Sequence, residues 1–137
     1  MKCLDSTFLI DVVEDPSETR GVAERLEQGG ETLATTVFNA YEVLTGVQSI
    51  RDSGQRARLL DHYAKVFARM TVLPLTFADA AKAAEIGGEL RRKGVEVGAD
   101  SLTAAVALRN GCDAVVTRNV SHFDRIRSVT GLAVVTY

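Results

Sequence analysis

Two cysteines in 137 residues, Cys3 and Cys112, are too few and too distant for a disulfide framework or a zinc site, and both read as small core residues. Long apolar runs are absent, which excludes a membrane-spanning helix. Low-complexity stretches, internal repeats and a linker are missing as well, so residues 1–137 are expected to form a single domain. The opening MKCLDSTF has one lysine and then an acid within a few residues, which does not fit a secretion signal. A cytoplasmic location is the expectation. An excess of positive charge is lacking too: at −2 the net charge exerts no overall pull on nucleic acid. Twelve of the sixteen basic residues are arginine, however, the better fork for phosphate, so local basic patches stay open.

What is present is a folded composition, 46% apolar and 25% charged. Short β-like runs recur at 2–4 (KCL), 32–35 (TLAT), 71–75 (TVLPL), 113–117 (DAVVT) and 132–137 (LAVVTY). Helical stretches separate them. One spans 6–13, near Pro16, and another 17–28, with Val22 and Leu26 on one side and Gly29-Gly30 as the stop. Segment 36–48 places Val37, Tyr41 and Leu44 on one stripe, and 53–69 carries Leu59, Leu60, Tyr63, Val66 and Phe67 between arginines. From Thr76 to Lys93, Ala83, Ile86 and Leu90 form the buried stripe, with Thr76 and Asp79 at capping-box spacing. The alternation predicts an α/β domain with a mainly parallel sheet of about five strands covered on both faces, a three-layer α/β/α arrangement.

In open parallel sheets, sites gather beyond the carboxyl ends of the strands. Asp5 stands there after the first strand, where it could equally cap the helix that follows. Glu42 lies on the helix after the second strand, at the margin of the apolar arc beside Phe38 and Tyr41, where a solvated surface role is the plain alternative. Asp100, in GADSLTAAVAL, precedes an apolar helical run and can serve both as a cap and as a ligand. After the fourth strand, RNVSHFD clusters Asn119, Ser121, His122 and Asp124 in what could also be a simple turn. Three acids brought together repel unless a cation neutralises them. An all-oxygen set with no His/Cys constellation points to Mg²⁺ or Mn²⁺ rather than zinc, and such an ion activates water for phosphodiester hydrolysis.

Several segments, in order, carry a resemblance over nearly the whole chain: LDSTFLIDV, NAYEVLTG, GELRRKGVEVGADSLTAAVAL, and VVTRNVSHFDRI followed by GLAVVTY. Together they resemble the PIN-domain ribonucleases, specifically the VapC-type toxins of prokaryotic toxin–antitoxin pairs. The resemblance implies a compact α/β/α PIN domain with a Mg²⁺ or Mn²⁺ site on Asp5, Glu42 and Asp100. It also implies Ser6 as a supporting hydroxyl and Asn119 at a fourth position that is Asp or Asn in relatives. Asp124 is a weaker contributor, His122 receives no catalytic role, and Arg118 is the nearest arginine to position an RNA backbone. The function implied is a metal-dependent endoribonuclease acting as a toxin. It would form a homodimer and be neutralised by a small cognate antitoxin, for which the helices spanning 36–69 offer a docking surface.

Two other classes fit the sequence less well. A phosphoacceptor receiver domain needs an Asp after a central apolar strand and a Lys after the last one, whereas Asp52 follows the polar SIR and no Lys occurs beyond Lys93. A non-catalytic PIN-like binding module is suggested by Asn119 and disfavoured by the three remaining acids.

Overall fold

The computed structural model describes residues 1–137. Strands β1 (Lys2–Leu4), β2 (Leu33–Thr36), β3 (Thr71–Leu73), β4 (Ala114–Val116) and β5 (Ala133–Val135) alternate with helices α1 (Ser6–Glu14), α2 (Arg20–Gln28), α3 (Val37–Gln48), α4 (Ser53–Ala68), α5 (Phe77–Arg92), α6 (Asp100–Arg109) and α7 (Val120–Thr130). The sheet order is β3-β2-β1-β4-β5, and every pairing is parallel. Parallel neighbours require crossovers, which the helices supply. From the central strand β1 the chain winds outward through β2 and β3, then returns to lay β4 on the opposite side. The carboxyl ends of β1 and β4 therefore flank the switch point where an open parallel sheet offers a crevice.

Successive side chains along a strand point to opposite faces of the sheet. Cys3 and Val115, paired across β1 and β4, enter a core with Ile86, Leu90, Phe123 and Ile126 from α5 and α7. Leu4 and Val116, one residue on, enter the opposite core with Phe8, Leu9, Val43 and Tyr63. The result is the expected three-layer α/β/α sandwich. Cys3 and Cys112 are both free and lie in the first of these cores, consistent with small fillers.

Element ends differ from the sequence reading for local reasons. The third strand stops at Leu73, because Pro74 has no amide to donate to a ladder. Helix α2 starts at Arg20 rather than near Ser17, whose hydroxyl donates to Asp15 Oδ1 at 2.8 Å and favours a turn. Gly131, at φ 76°, supplies the left-handed stop of α7. Of the stripe Val37–Tyr41–Leu44 on α3 only Leu44 packs against the core, partly buried; Asn39, Val43 and Val47 are buried there, whereas Val37 and Tyr41 are 47% and 64% exposed.

The capping box of α5 is present: Thr76 Oγ1 accepts from the Asp79 amide and the Asp79 carboxylate accepts from the Thr76 amide. Asp79 is also gripped by Arg109, with Nε to Oδ1 at 2.7 Å and the guanidinium reaching Oδ2 at 3.0 Å. This fork ties α5 to α6 and holds the Asp79 carboxyl below the ordinary carboxylate range, helped by the Thr76 bonds. A depressed carboxyl stabilises the fold above its unfolded value, near 3.8, and that contribution is lost as pH falls through the folded value. Urea midpoints measured from pH about 5 to about 3 should therefore fall more steeply for the wild type than for Asp79→Asn. Truncating the fully buried Phe123 to Ala should destabilise the chain by about 3–5 kcal/mol in the same assay.

Candidate active site

The switch-point crevice gathers polar side chains that local sequence leaves scattered. Asp5 occupies the N-cap position of α1 but makes no cap hydrogen bond with its side chain. Instead Oδ1 accepts from Asn39 Nδ2 at 3.1 Å, and Oδ2 accepts from the Thr117 hydroxyl at 2.8 Å and the Thr7 hydroxyl at 3.1 Å. Asn39 and Thr117 follow β2 and β4, the two strands flanking β1, while Thr7 lies on α1. Asp5 is only 2% exposed. A charge removed from water must be met by hydrogen bonds or a counter-charge, and here neutral donors alone meet it.

Glu42, one turn along α3 from Asn39, accepts from the same Asn39 amide through Oε1 at 3.3 Å. Although the residue is exposed along its stem, its carboxyl end loses hydration against the crevice, which raises its pKa. The negative fields of Asp5 and Asp100 push it the same way, while hydrogen bonds from Ser6 and Asn39 oppose the shift.

Asp100 is the first residue of α6, with Ala99 at the cap and no side-chain cap hydrogen bond, so the expected capping role is corrected. Its Oδ2 accepts from Asn119 Nδ2 and from His122 Nδ1, both at 2.7 Å. Burial raises the Asp100 pKa, Asp5 adds to it, and the His122 and Asn119 hydrogen bonds oppose it. The side chain of Asn119 therefore acts as a donor to Asp100. His122, given no role on sequence grounds, is a direct partner of a candidate ligand, and the proton on Nδ1 faces the carboxylate.

Two expectations are corrected outright. Asp124 is exposed on α7 and pairs with Arg127 at 3.3 Å, not with the site. Arg118 turns its guanidinium to Asp11 Oδ2 at 3.0 Å on α1. Sequence reasoning missed Thr7, Thr36, Asn39, Thr103 and Thr117. A signal existed for two of them: Asn39 precedes Glu42 by three positions and Thr103 follows Asp100 by three, which puts each on the same helix face as its acid.

The three buried aspartates differ in one decisive respect. Asp79 is neutralised by Arg109 and Asp11 by Arg118, but Asp5 has no cation beside it. Its negative field stays available to a charge arriving from outside. No three of the acid, His and Cys side chains stand close enough to enclose an ion unaided. The acids at the crevice offer oxygen donors, the hard type that Mg²⁺ or Mn²⁺ takes.

A PIN domain family model matches residues 2–128. The chain belongs to the PIN-domain family. Solved structures agree on the fold of this PIN domain. It is 20% identical to a chain of VapBC2 from Rickettsia felis bound to a promoter DNA fragment, over 99% of this chain and 98% of that one, with a TM-score of 0.81. DNA-bound VapBC from Salmonella typhimurium gives 24% identity, coverages of 98% and 96%, and a TM-score of 0.80. VapC20 of Mycobacterium tuberculosis, described as a sarcin-ricin loop cleaving toxin, gives 17% identity, coverages of 90% and 94%, and a TM-score of 0.66. No curated protein sequence matches. Family membership sets aside the receiver-domain alternative.

The coupling between the acids can be read directly. Replacing Asp100 by Asn removes one of the two negative fields on Glu42, so carboxyl carbon NMR should show Glu42 titrating at lower pH than in the wild type. The sign for stability follows. A raised carboxyl favours the folded state below its unfolded value, near 4.5, and that advantage is lost as pH rises through the folded value.

Proposed function

We propose that the chain is a Mg²⁺- or Mn²⁺-dependent endoribonuclease and the toxin of a VapBC-type pair, formed by the single PIN domain of residues 1–137. The observation that carries this reading is the buried Asp5 carboxylate, satisfied by neutral donors only and flanked by the raised carboxyls of Glu42 and Asp100. Such a group of acids is least stable without a cation, and relief of that repulsion is a binding energy in itself. A divalent cation at this site supplies a Lewis acid that polarises a phosphoryl oxygen and makes a nearby water easier to deprotonate.

The chain's own residues do the rest. Asp5, Glu42 and Asp100 hold the cation directly or through water, and Ser6 steadies Glu42. Glu42, its carboxyl raised, takes up the proton of the water that attacks phosphorus in line, while the P–O bond to the opposite ribose oxygen breaks and that oxygen leaves protonated by solvent. Asn119 and His122 orient Asp100.

Partners follow from the same reading. The VapBC relatives are described as complexes, two of them on DNA, which supports a small cognate antitoxin for this chain. The outward stripe of Val37 and Tyr41 on α3 supports helices 36–69 as its docking face. The same reading gives a homodimer working in the cytoplasm. Separately, no helix is long and apolar enough to cross a membrane.

Cleavage of RNA by the purified chain should require Mg²⁺ or Mn²⁺, stop on chelation, and fall by at least about 100-fold in Asp100→Asn without loss of fold. Full cleavage by that variant would refute the mechanism, whereas binding of RNA without any cation-dependent cleavage would favour a non-catalytic PIN-like module. Expression alone should arrest growth, and co-expression of a short adjacent upstream reading frame should relieve it.

A further inference from the structure

One neutral side chain touches two of the acids. Asn39 has no exposed surface, and its amide lies between the α1 end of the crevice and α6. Nδ2 donates to Asp5 Oδ1 at 3.1 Å and to Glu42 Oε1 at 3.3 Å. On the other side Oδ1 accepts from the Thr36 hydroxyl at 2.7 Å and from the Thr103 hydroxyl at 3.2 Å. An asparagine offers two N–H donors and two acceptor lone pairs, and all four are used.

The orientation of the amide has only one consistent solution. Thr36 Oγ1 already accepts from the Asn39 backbone amide at 3.0 Å, so its proton is directed to the side-chain oxygen. A flipped amide would aim its oxygen at two carboxylates and leave the Thr36 and Thr103 hydroxyl protons without the oxygen they donate to. Thr36 and Thr103 therefore set the polarity of Asn39, and Asn39 sets the separation of Asp5 and Glu42.

We propose that Asn39 is a positioning residue that presents Asp5 and Glu42 as a matched pair to a divalent cation, with Thr36 and Thr103 locking its amide. The inference rests on the reading of this site as a divalent-metal nuclease centre. Asn39 does not itself reach the ion, because both N–H groups are engaged and its oxygen faces the threonines. A carboxylate here would add a fourth negative charge aimed at the other two. A leucine of similar volume would leave Asp5 Oδ1 without its donor and two hydroxyls without their acceptor.

The test uses the full chain titrated with Mn²⁺ in the absence of RNA, with free ion read by electron paramagnetic resonance and fold by thermal unfolding. Asn39→Leu should weaken Mn²⁺ binding by about 10- to 100-fold, and the isosteric Thr103→Val by a few-fold in the same direction. In a Glu42→Ala background Asn39→Leu should have a clearly smaller effect than in the wild type, because one of its two partners is gone. With saturating Mn²⁺, RNA cleavage by Thr103→Val should lose kcat while KM holds. If Asn39→Leu does not fold, Thr103→Val decides the matter alone. Unchanged Mn²⁺ affinity in the folded variants, or effects that simply add in the double variant, would overturn the role of Asn39 while leaving the nuclease reading intact. A wild type that binds Mn²⁺ no better than Asp5→Ala would instead remove the metal-nuclease reading, and the Asn39 role with it.

Discussion

The site depends on how one buried negative charge is satisfied. Asp5 leaves the middle strand of the sheet with both carboxylate oxygens engaged, yet every partner is a neutral amide or hydroxyl. Neutral donors stabilise an anion without cancelling its field, whereas an arginine does both. Asp11 and Asp79 show the second solution in the same molecule, each with a guanidinium against it. These two acids join elements. Asp5 joins elements as well, through donors carried by the segments after β2 and β4, but it also keeps a potential that raises Glu42 and Asp100.

The sheet explains why those donors meet. Because β1 lies between β2 and β4 and all three run parallel, the residues that follow each strand emerge at one edge. Thr36 and Asn39 come from the second segment, Thr117 and Asn119 from the fourth, and Asp5 stands between them. Alternation along the strands does the remaining work: Leu4 and Val116 fill one core, and Cys3 and Val115 the other. The polar residues begin where the strands stop, so a layer of hydrogen bonds closes the end of the sandwich. No buried side-chain polar atom is left without a partner.

Much of this fold was legible in the sequence, because period and punctuation are local properties. Ala83, Ile86 and Leu90 bury as their spacing predicts, and Thr76 with Asp79 forms the capping box. The α3 stripe misled for a physical reason. Val37 and Tyr41 share a helix face and are apolar, but the opposite face carries Asn39, whose four hydrogen bonds make a polar residue the better occupant of the interior. Hydrophobic periodicity cannot register a buried amide that is fully satisfied. The candidate acids were legible from their places after the strands, but their partners were not, since Asp5 meets Thr117 across 112 positions of chain. Arg118 and Asp124 show the converse: proximity in sequence did not carry either side chain into the crevice.

The substitution of an amide for an acid at position 119 changes how charge is distributed, not merely how much there is. Asn119 gives its N–H to Asp100 Oδ2, the same oxygen that His122 approaches, so Asp100 is held from outside the pair formed by Asp5 and Glu42. A carboxylate at 119 could not donate, and Asp100 would then lose a bond and gain a repulsion. With the amide, repulsion is concentrated where Asn39 spans Asp5 and Glu42, and Asp100 is steadied on the opposite side by two donors. The arrangement therefore divides the acids into a bridged pair and a separately anchored third, each with its orientation fixed by hydrogen bonds.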